Sequence, residues 1–449
     1  MVTTFSPQLT GGSAADLAGR LRGPRGLVGV VGLGYVGLPV CLAFVAGGLR
    51  VIGFDVDSRR VERLAASSCD IPHLDQADLA AAVAHGLLTI TADFTRLAQP
   101  DAVIICVPTP LDRHREPDLS HVEATASQIA RTLRAGQLVV LESTTYPGTC
   151  DEVMRPALEA SGLTLGIDFF LAFSPERVDP GNHRFAIAEI PKLVGGVDPT
   201  SGALAELLYR RAFRHVVRVS SARVAEASKL TENVFRAVNI ALVNELKMVY
   251  DGMGIDIWEV LDAASTKPFG FMRFDPGPGW GGHCIPLDPF YLSWKARETG
   301  CPSRFVDLAG EINREMPKYV ISKLVAALNE RHLPVRGARI LLLGLAYKRD
   351  IADPRESPAF EILHRLIELG AEVLYHDPHI PEAPSMRSWP DLPPLRSTPL
   401  SPCLLSEIDA VVVVTDHRSV DYDLIAAHAP LVIDTRGVLP RNTKNLVRA

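Results

Sequence analysis

A chain of 449 residues is too long to close around one hydrophobic core, and common domain sizes divide it into about two to four units. Apolar residues at 47% and charged residues at 22% exclude a mainly disordered chain, and a net charge of -6 with no basic block excludes a general attraction to nucleic acid. No run of about twenty uncharged apolar residues predicts a membrane span, and seven cysteines without a C-x-x-C pair give neither a disulfide framework nor a zinc site.

Residues 1–25, rich in Thr, Ser and Gly, lack the basic flank and apolar run of a secretory signal; they read as a flexible extension of a cytoplasmic protein. From Leu27 the chain reads LVGVVGLGYVGLPVCLAFVAGGLRVIGFDVD: an apolar strand, a glycine turn, an amphipathic helix and a second strand, one complete βαβ unit. Apolar runs at 102–107 and 138–142 continue the alternation and carry a first domain over 26–215. Helical spacing over 222–251, 255–264 and 306–331 predicts an all-helical middle, 216–331. Its longest helix, of about thirty residues and roughly 45 Å, would bridge domains or offer a dimer seam. Strand signals return in ARILLLGLAYK and AEVLYHD and, after a Pro- and Ser-rich loop at 381–402, at 410–415 and 431–434. Residues 332–449 therefore form a second, smaller α/β domain.

Gly32, Gly34 and Gly37 form G-x-G-x-x-G directly after a strand and at the start of a helix, the context that gives this fingerprint meaning. The first glycine permits the tight turn, the second lets the backbone approach a pyrophosphate, and the third lets helix and strand pack closely. Asp55 ends the second strand, where a carboxylate accepts hydrogen bonds from both ribose hydroxyls and repels a 2′-phosphate. That favours NAD, although Arg59 and Arg60 lie close enough to keep NADP open. The fold class expected is α/β, with two Rossmann-like doubly wound parallel sheets joined by a central all-helical domain.

Residues 276–289 read PGPGWGGHCIPLDP, whose glycines and prolines suit neither helix interior nor strand and let something approach the backbone closely. Cys284 stands here beside His283, with Asp288 four residues on, a setting unlike that of Cys106 inside an apolar run. His283 and Cys284 as adjacent ligands make a poor metal site, so none is expected. A Cys/His nucleophile pair for hydrolysis leaves the dinucleotide fold without purpose, whereas oxidation through a thiol explains both. In EASKLTENVF, Lys229 and Asn233 stand four apart on one helix face, placed to stabilise an oxyanion; for the lysine, a solvated surface position is the plainer account.

Six separated segments, GLGYVG, VPTP, STTYPGT, SPERVDPG, KLTEN and GGHCIPLD, resemble in order the family of UDP-glucose, UDP-N-acetylglucosamine and GDP-mannose dehydrogenases, over nearly all the chain beyond residue 25. The resemblance implies two successive hydride transfers from a sugar C6 alcohol to NAD, with the aldehyde held by Cys284 as a thiohemiacetal and then as a thioester. It implies that Lys229 and Asn233 stabilise oxyanions, that Asp288 and Thr144 order the catalytic water, and that Glu176 assists acid/base steps. Cofactor contacts implied are Gly32, Gly34, Tyr35, Val36, Gly37, Asp55, Arg60, Pro108, Thr109 and Thr144.

On the substrate side the resemblance implies Glu176, Arg177, Lys229, Asn233, Phe271, Arg273 and Gly281. GLAYKRDIADPRESP resembles the family's segment that holds the uridine nucleotide, which implies that Tyr347 meets the base and Lys348 the phosphate, while Asp353, Arg355 and Ser357 are expected to shape the loop; Arg436 in DTRG is a further candidate for the diphosphate or a carboxylate. Leu287 stands where the UDP-glucose branch usually has lysine, which resembles the branch acting on UDP-N-acetylglucosamine; UDP-glucose and UDP-N-acetylmannosamine are the alternatives. Lys267 and Arg273 are candidates to reach across subunits, and Met272 and Trp280 to contact the N-acetyl group. The family usually dimerises through its central helices, so a homodimer or a higher assembly is expected. A catalytically silent nucleotide-binding homologue would keep the glycine turn and lose the catalytic set present here. Hydroxyacid dehydrogenases share the opening βαβ but lack the cysteine loop.

Overall fold

The structure is a computed structural model that describes residues 12–69, 71, 74–112, 116–177, 187–282, 285–386 and 388–449. These divide into two compact units, Met1–Glu232 with Phe290–Cys301, and Asn233–Pro289 with Pro302–Ala449. The helices expected as a separate middle are shared between the two units.

In the first unit the strands are β1 (Leu27–Val31), β2 (Arg50–Phe54), β3 (Leu88–Thr91), β4 (Ala102–Ile105), β5 (Gln137–Leu141), β6 (Phe169–Phe173), β7 (Lys192–Gly196) and β8 (Val216–Arg218). Their order in space is β3-β2-β1-β4-β5-β6-β7-β8. Every neighbouring pair runs parallel except β6 and β7, which pair antiparallel through Ala172 with Gly196 and Phe173 with Gly195. β4, β5 and β6 are buried along their whole length, as a sheet covered on both faces requires. One face packs on Phe44 and Leu204, the other on Val122, Ile129 and Leu158, each from a covering helix.

Of the segment expected as a flexible extension, residues 1–11 lie outside the described residues, while 12–22 depart from that expectation. Gly12–Arg22 is a helix that buries Leu17, Ala18 and Leu21 in the core of the first unit. Arg20 fastens it to Asp101 at 2.7 Å and to the Gly136 carbonyl at 2.8 Å. Its apolar side consists of only a few residues set among polar ones, so the stripe is too short to stand out in a Ser/Thr/Gly-rich segment.

In the second unit β9 (Arg339–Leu343), β10 (Glu372–His376), β11 (Ala410–Val413), β12 (Val432–Asp434) and β13 (Leu446–Arg448) form a wholly parallel sheet in the order β10-β9-β11-β12-β13. This is the 2-1-3-4-5 order, with its topological switch between β9 and β11. Helices Arg304–Asn329 and Pro358–Glu368 cover one face, and Pro402–Glu407 and Tyr422–His428 the other. The helix Ala222–Gly252 is 31 residues long and crosses the boundary between the units at Glu232. Among the described residues no helix is long and apolar enough to cross a membrane.

Burial pushes the His376 imidazole on β10 below its ordinary 6.5, against the pull of the Thr398 carbonyl that its Nδ1 meets at 3.0 Å. The folded ring binds a proton more weakly than the unfolded one, so its stabilising share is complete above pH 6.5 and is lost as the pH falls through the lowered folded value. His376→Asn, which keeps a donor for Thr398, is expected to reduce the drop in melting temperature between about pH 7 and about pH 5, measured by thermal denaturation. An unchanged slope would show that His376 does not carry it.

Candidate functional site

The glycine turn joins β1 to the helix Gly37–Ala46. Gly32 has φ +91°, and a Cβ there would stand 2.6 Å from the Cys106 carbonyl oxygen; a Cβ on Gly37 would stand 1.8 Å from the Gly32 oxygen. Gly34 is different. A Cβ there would meet nothing nearer than Arg60 at 4.0 Å, so this peptide faces space open to a pyrophosphate. The helix N-cap, Val36, offers no side-chain acceptor; Leu38 N–H donates to the Gly34 carbonyl at 3.2 Å, Val40 N–H to the Val36 carbonyl at 3.1 Å, and Pro39 has no N–H, so the donor of this turn that an anion can take is the Gly37 N–H. Asp55 accepts from Leu33 N–H at 2.9 Å and Asp57 N–H at 3.0 Å, and Arg60 donates to the Leu33 carbonyl at 3.2 Å, so both side chains brace the turn. The donor, space and carboxylate together fit a dinucleotide. Tyr35, Val36 and Thr109 are half-buried and Pro108 is exposed; the Thr109 carbonyl accepts from Tyr291 at 2.8 Å.

Thr144 is half-buried just beyond β5, and Glu176 follows β6. Glu176 Oε1 accepts its neighbour Arg177 N–H at 2.8 Å, and Oε2 lies 3.6 Å from Lys192 Nζ. Sequence reasoning missed Lys192 and its partner Glu142, 2.9 Å away; both are buried, and Tyr209 donates to the same carboxylate. Burial raises the Glu142 pKa against the attraction of Lys192. Burial opposes the Lys192 charge as well, but Glu142 and Glu176 outweigh it and hold the ammonium above its usual range. Arg177, expected at the substrate, reaches Glu232 at 2.7 Å and the Pro191 carbonyl at 2.6 Å.

Lys229 and Asn233 stand one turn apart on Ala222–Gly252, and both are buried, which removes the solvated account of the lysine. Among the described residues Lys229 has no acidic partner. One turn earlier, buried Glu226 accepts from Gly148 N–H at 2.6 Å and Cys150 N–H at 3.0 Å, tying this helix to the segment after Thr144. Its signal, a carboxylate one turn before Lys229 and at helical spacing with it and Asn233, was present in the sequence.

Cys284 and His283 lie outside the described residues, but the loop before them is anchored within the second unit. Gly277 N–H donates to Asn244 at 2.9 Å, and Asn244 donates to Asn313 at 2.8 Å. Gly282 N–H donates to the Arg355 carbonyl at 3.0 Å. Cβ atoms on Gly281 and Gly282 would strike Tyr347 at 2.6 and 2.9 Å, so these glycines let the loop lie against that residue. After the loop, Asp288 opens the helix Asp288–Glu298, buried, and accepts from the Asn233 amide.

Tyr347 and Lys348 follow the turn Gly344-Leu345-Ala346 that leaves β9, at the carboxyl edge beside the β9–β11 switch. Asp353 grips Arg355 through both carboxylate oxygens, and Ser357 caps Pro358–Glu368. Arg436, at the end of β12, donates to the Val414 carbonyl at 2.8 Å, and its guanidinium lies where a Cβ on Gly277 would come within 2.6 Å. Arg273 is paired with Asp262 at 2.6 Å and Asp275 at 2.9 Å, while Phe271, Met272 and Lys267 are exposed. Asp350, His379 and His417 bring potential metal-ligand atoms within 4.8 Å of one another. Both His417 nitrogens are engaged, however, Nδ1 by Asp350 N–H at 2.9 Å and Nε2 by Asp377 at 3.2 Å, which makes this a structural cluster.

Three family models, consecutive along the chain, match residues 27–213, 223–315 and 341–441: the NAD binding, central and UDP binding domains of the UDP-glucose/GDP-mannose dehydrogenase family. The chain belongs to that family. It is an NAD-dependent oxidoreductase of the nucleotide-sugar dehydrogenase type. It is 39% identical over 81% of its length to 85% of a UDP-N-acetyl-D-glucosamine 6-dehydrogenase from Pseudomonas aeruginosa. An NDP-N-acetyl-D-galactosaminuronic acid dehydrogenase from Ralstonia solanacearum is 37% identical over 92% of this chain and 96% of that one. The solved UDP-D-ManNAc dehydrogenase of Pyrococcus horikoshii superposes with a TM-score of 0.84 at 32% identity, over 94% of this chain and 98% of that one.

Gly37→Ala is expected to weaken NAD binding by roughly a hundredfold or more, measured by fluorescence titration, because its methyl cannot fit against Gly32. Gly252→Ala, with nothing within 4 Å of the new methyl, is the control and should leave binding unchanged. Equal affinities in the two variants would show that the turn is not the cofactor cradle.

Proposed function

We propose that this dehydrogenase oxidises the C6 alcohol of UDP-N-acetylglucosamine to the carboxylate, a four-electron reaction carried through a covalent adduct on Cys284. The carrying observation is the buried contact between Asn233 and Asp288, four residues after the thiol, with buried Lys229 one turn away on the same helix as Asn233. NAD supplies the hydride acceptor for each of the two oxidations.

Gly32, Gly34 and Gly37 cradle the pyrophosphate, Asp55 meets the ribose, and Tyr35, Val36, Arg60, Pro108, Thr109 and Thr144 line the cofactor. The first oxidation yields an aldehyde, which Cys284 attacks to give a thiohemiacetal; this restores a tetrahedral carbon bearing hydrogen, from which a second hydride can leave. Lys229 and the Asn233 amide hold the oxyanion. The resulting thioester is hydrolysed by a water ordered by Asp288 and Thr144, with Glu176 taking its proton. Tyr347 and Lys348 receive base and phosphate, with Arg436 beside them, and Gly281, Phe271 and Arg273 face the sugar side. The ion pairs of Arg177 and Arg273 make positioning roles for these two the better reading.

The N-acetylglucosamine assignment is supported by Leu287 and by the name of the Pseudomonas relative. UDP-N-acetylmannosamine is the second reading, favoured by the superposition on the Pyrococcus enzyme. A homodimer fits the exposed Phe235, Leu242 and Val249, which recur every seven residues along one stripe of the long helix.

The test is NADH absorbance with UDP-N-acetylglucosamine, UDP-N-acetylmannosamine and UDP-glucose in turn. Two NADH per N-acetylglucosamine sugar are expected, and the highest kcat/KM with another sugar would overturn the substrate assignment. Cys284→Ser is expected to keep NAD affinity while losing at least about a thousandfold in acid formation. Normal turnover by that variant, or one NADH per sugar with free aldehyde, would exclude the thioester route.

A further inference from the structure

Glu142, Lys192 and Tyr209 form a buried charged cluster that the chemistry above leaves unused. We propose that Lys192 is a positioning residue for Glu176: its ammonium, locked by Glu142 and Tyr209, fixes the carboxylate that does the acid/base work. The inference rests on that reading of Glu176.

The reversal of β7 creates the contact. Parallel strands all end at one edge of the sheet, whereas the antiparallel β7 begins there, so its first residue stands where β6 stops. Continuing the β6–β7 register outward sets Lys192 opposite Glu176. Glu142, directly after β5, approaches the same ammonium from the other side of β6.

Exposure separates the roles. The side chains of Glu142 and Lys192 are 0% and 4% exposed, while Glu176 is 16% exposed and forms the open end of the cluster. The Lys192 ammonium also lies over the rings of Tyr209 and Phe213, at 5.5 and 5.3 Å from their centroids, which confine it further. Stability alone gives no reason to retain such a group, since buried ion pairs can often be exchanged for apolar side chains of similar volume without loss. Orientation does give a reason. With Oε1 on the Arg177 N–H and Oε2 facing a fixed ammonium, the Glu176 carboxylate is directed from both sides.

Replacing Lys192 alone would strand Glu142 in the core, so the test exchanges the pair together, K192M/E142L, in wild-type and E176Q backgrounds of the full chain. Melting temperature, kcat and the KM for UDP-sugar and NAD are measured for each. The expected result is a kcat about tenfold lower with both KM values unchanged, and no further fall when E176Q is already present. E142Q, which preserves shape and loosens the ammonium, should show a smaller loss that likewise vanishes in E176Q. Wild-type kcat in K192M/E142L, or the same fold-loss in both backgrounds, would overturn the inference while the Glu176 reading stands. E176Q with wild-type kcat would overturn both.

Discussion

Both sheets depend on a close approach of backbone at the end of the first strand, where a side chain cannot be accommodated. Gly32 closes β1 with φ +91° against the Cys106 backbone, and Gly344 closes β9 with φ +87° against Thr415. In each sheet the carboxylate that ends the next strand catches the N–H that follows the glycine: Asp55 takes Leu33, and Asp377 takes Leu345 and Ala346. VGLGYVG and LGLAYKR are thus two versions of one turn. The first keeps the glycines that open its backbone to a pyrophosphate. The second has Ala346 and Arg349 in their place and presents side chains, which suits the site proposed at Tyr347 and Lys348.

Burial of charge follows one rule in both units. Fully buried charges are tolerated where each has a partner, and Glu142, Lys192, Glu226 and Asp288 all obey this rule through ion pairs, backbone N–H groups or an amide. Lys229 departs from it among the described residues, which sets it apart from an ordinary core lysine.

Much of this architecture was legible in the sequence because it is local. The glycine turn, the alternation of strand and helix, the long amphipathic helix and the Gly/Pro loop each declare themselves within a few dozen residues. Glu142 and Lys192 did not, since each flanks an apolar run as strand-terminal charges commonly do, and their contact depends on a strand reversal fifty residues away. Asn244 and Asn313 were equally silent: a buried asparagine on a helix shows its purpose only when the loop it holds is in place.

The first unit is discontinuous, for its last piece, Phe290–Cys301, arrives after 57 residues that belong to the second, Asn233–Pro289. Tyr291 in that piece is fully buried in the first unit's core and donates to the Thr109 carbonyl at the cofactor edge. On the ribosome, therefore, the NAD-binding sheet emerges with its apolar wall still open and cannot be sealed until the cysteine loop has been made. The core of the cofactor domain is in this way completed only by residues that lie beyond the reactive segment in the chain, and a chain truncated before Tyr291 lacks one of its fully buried side chains.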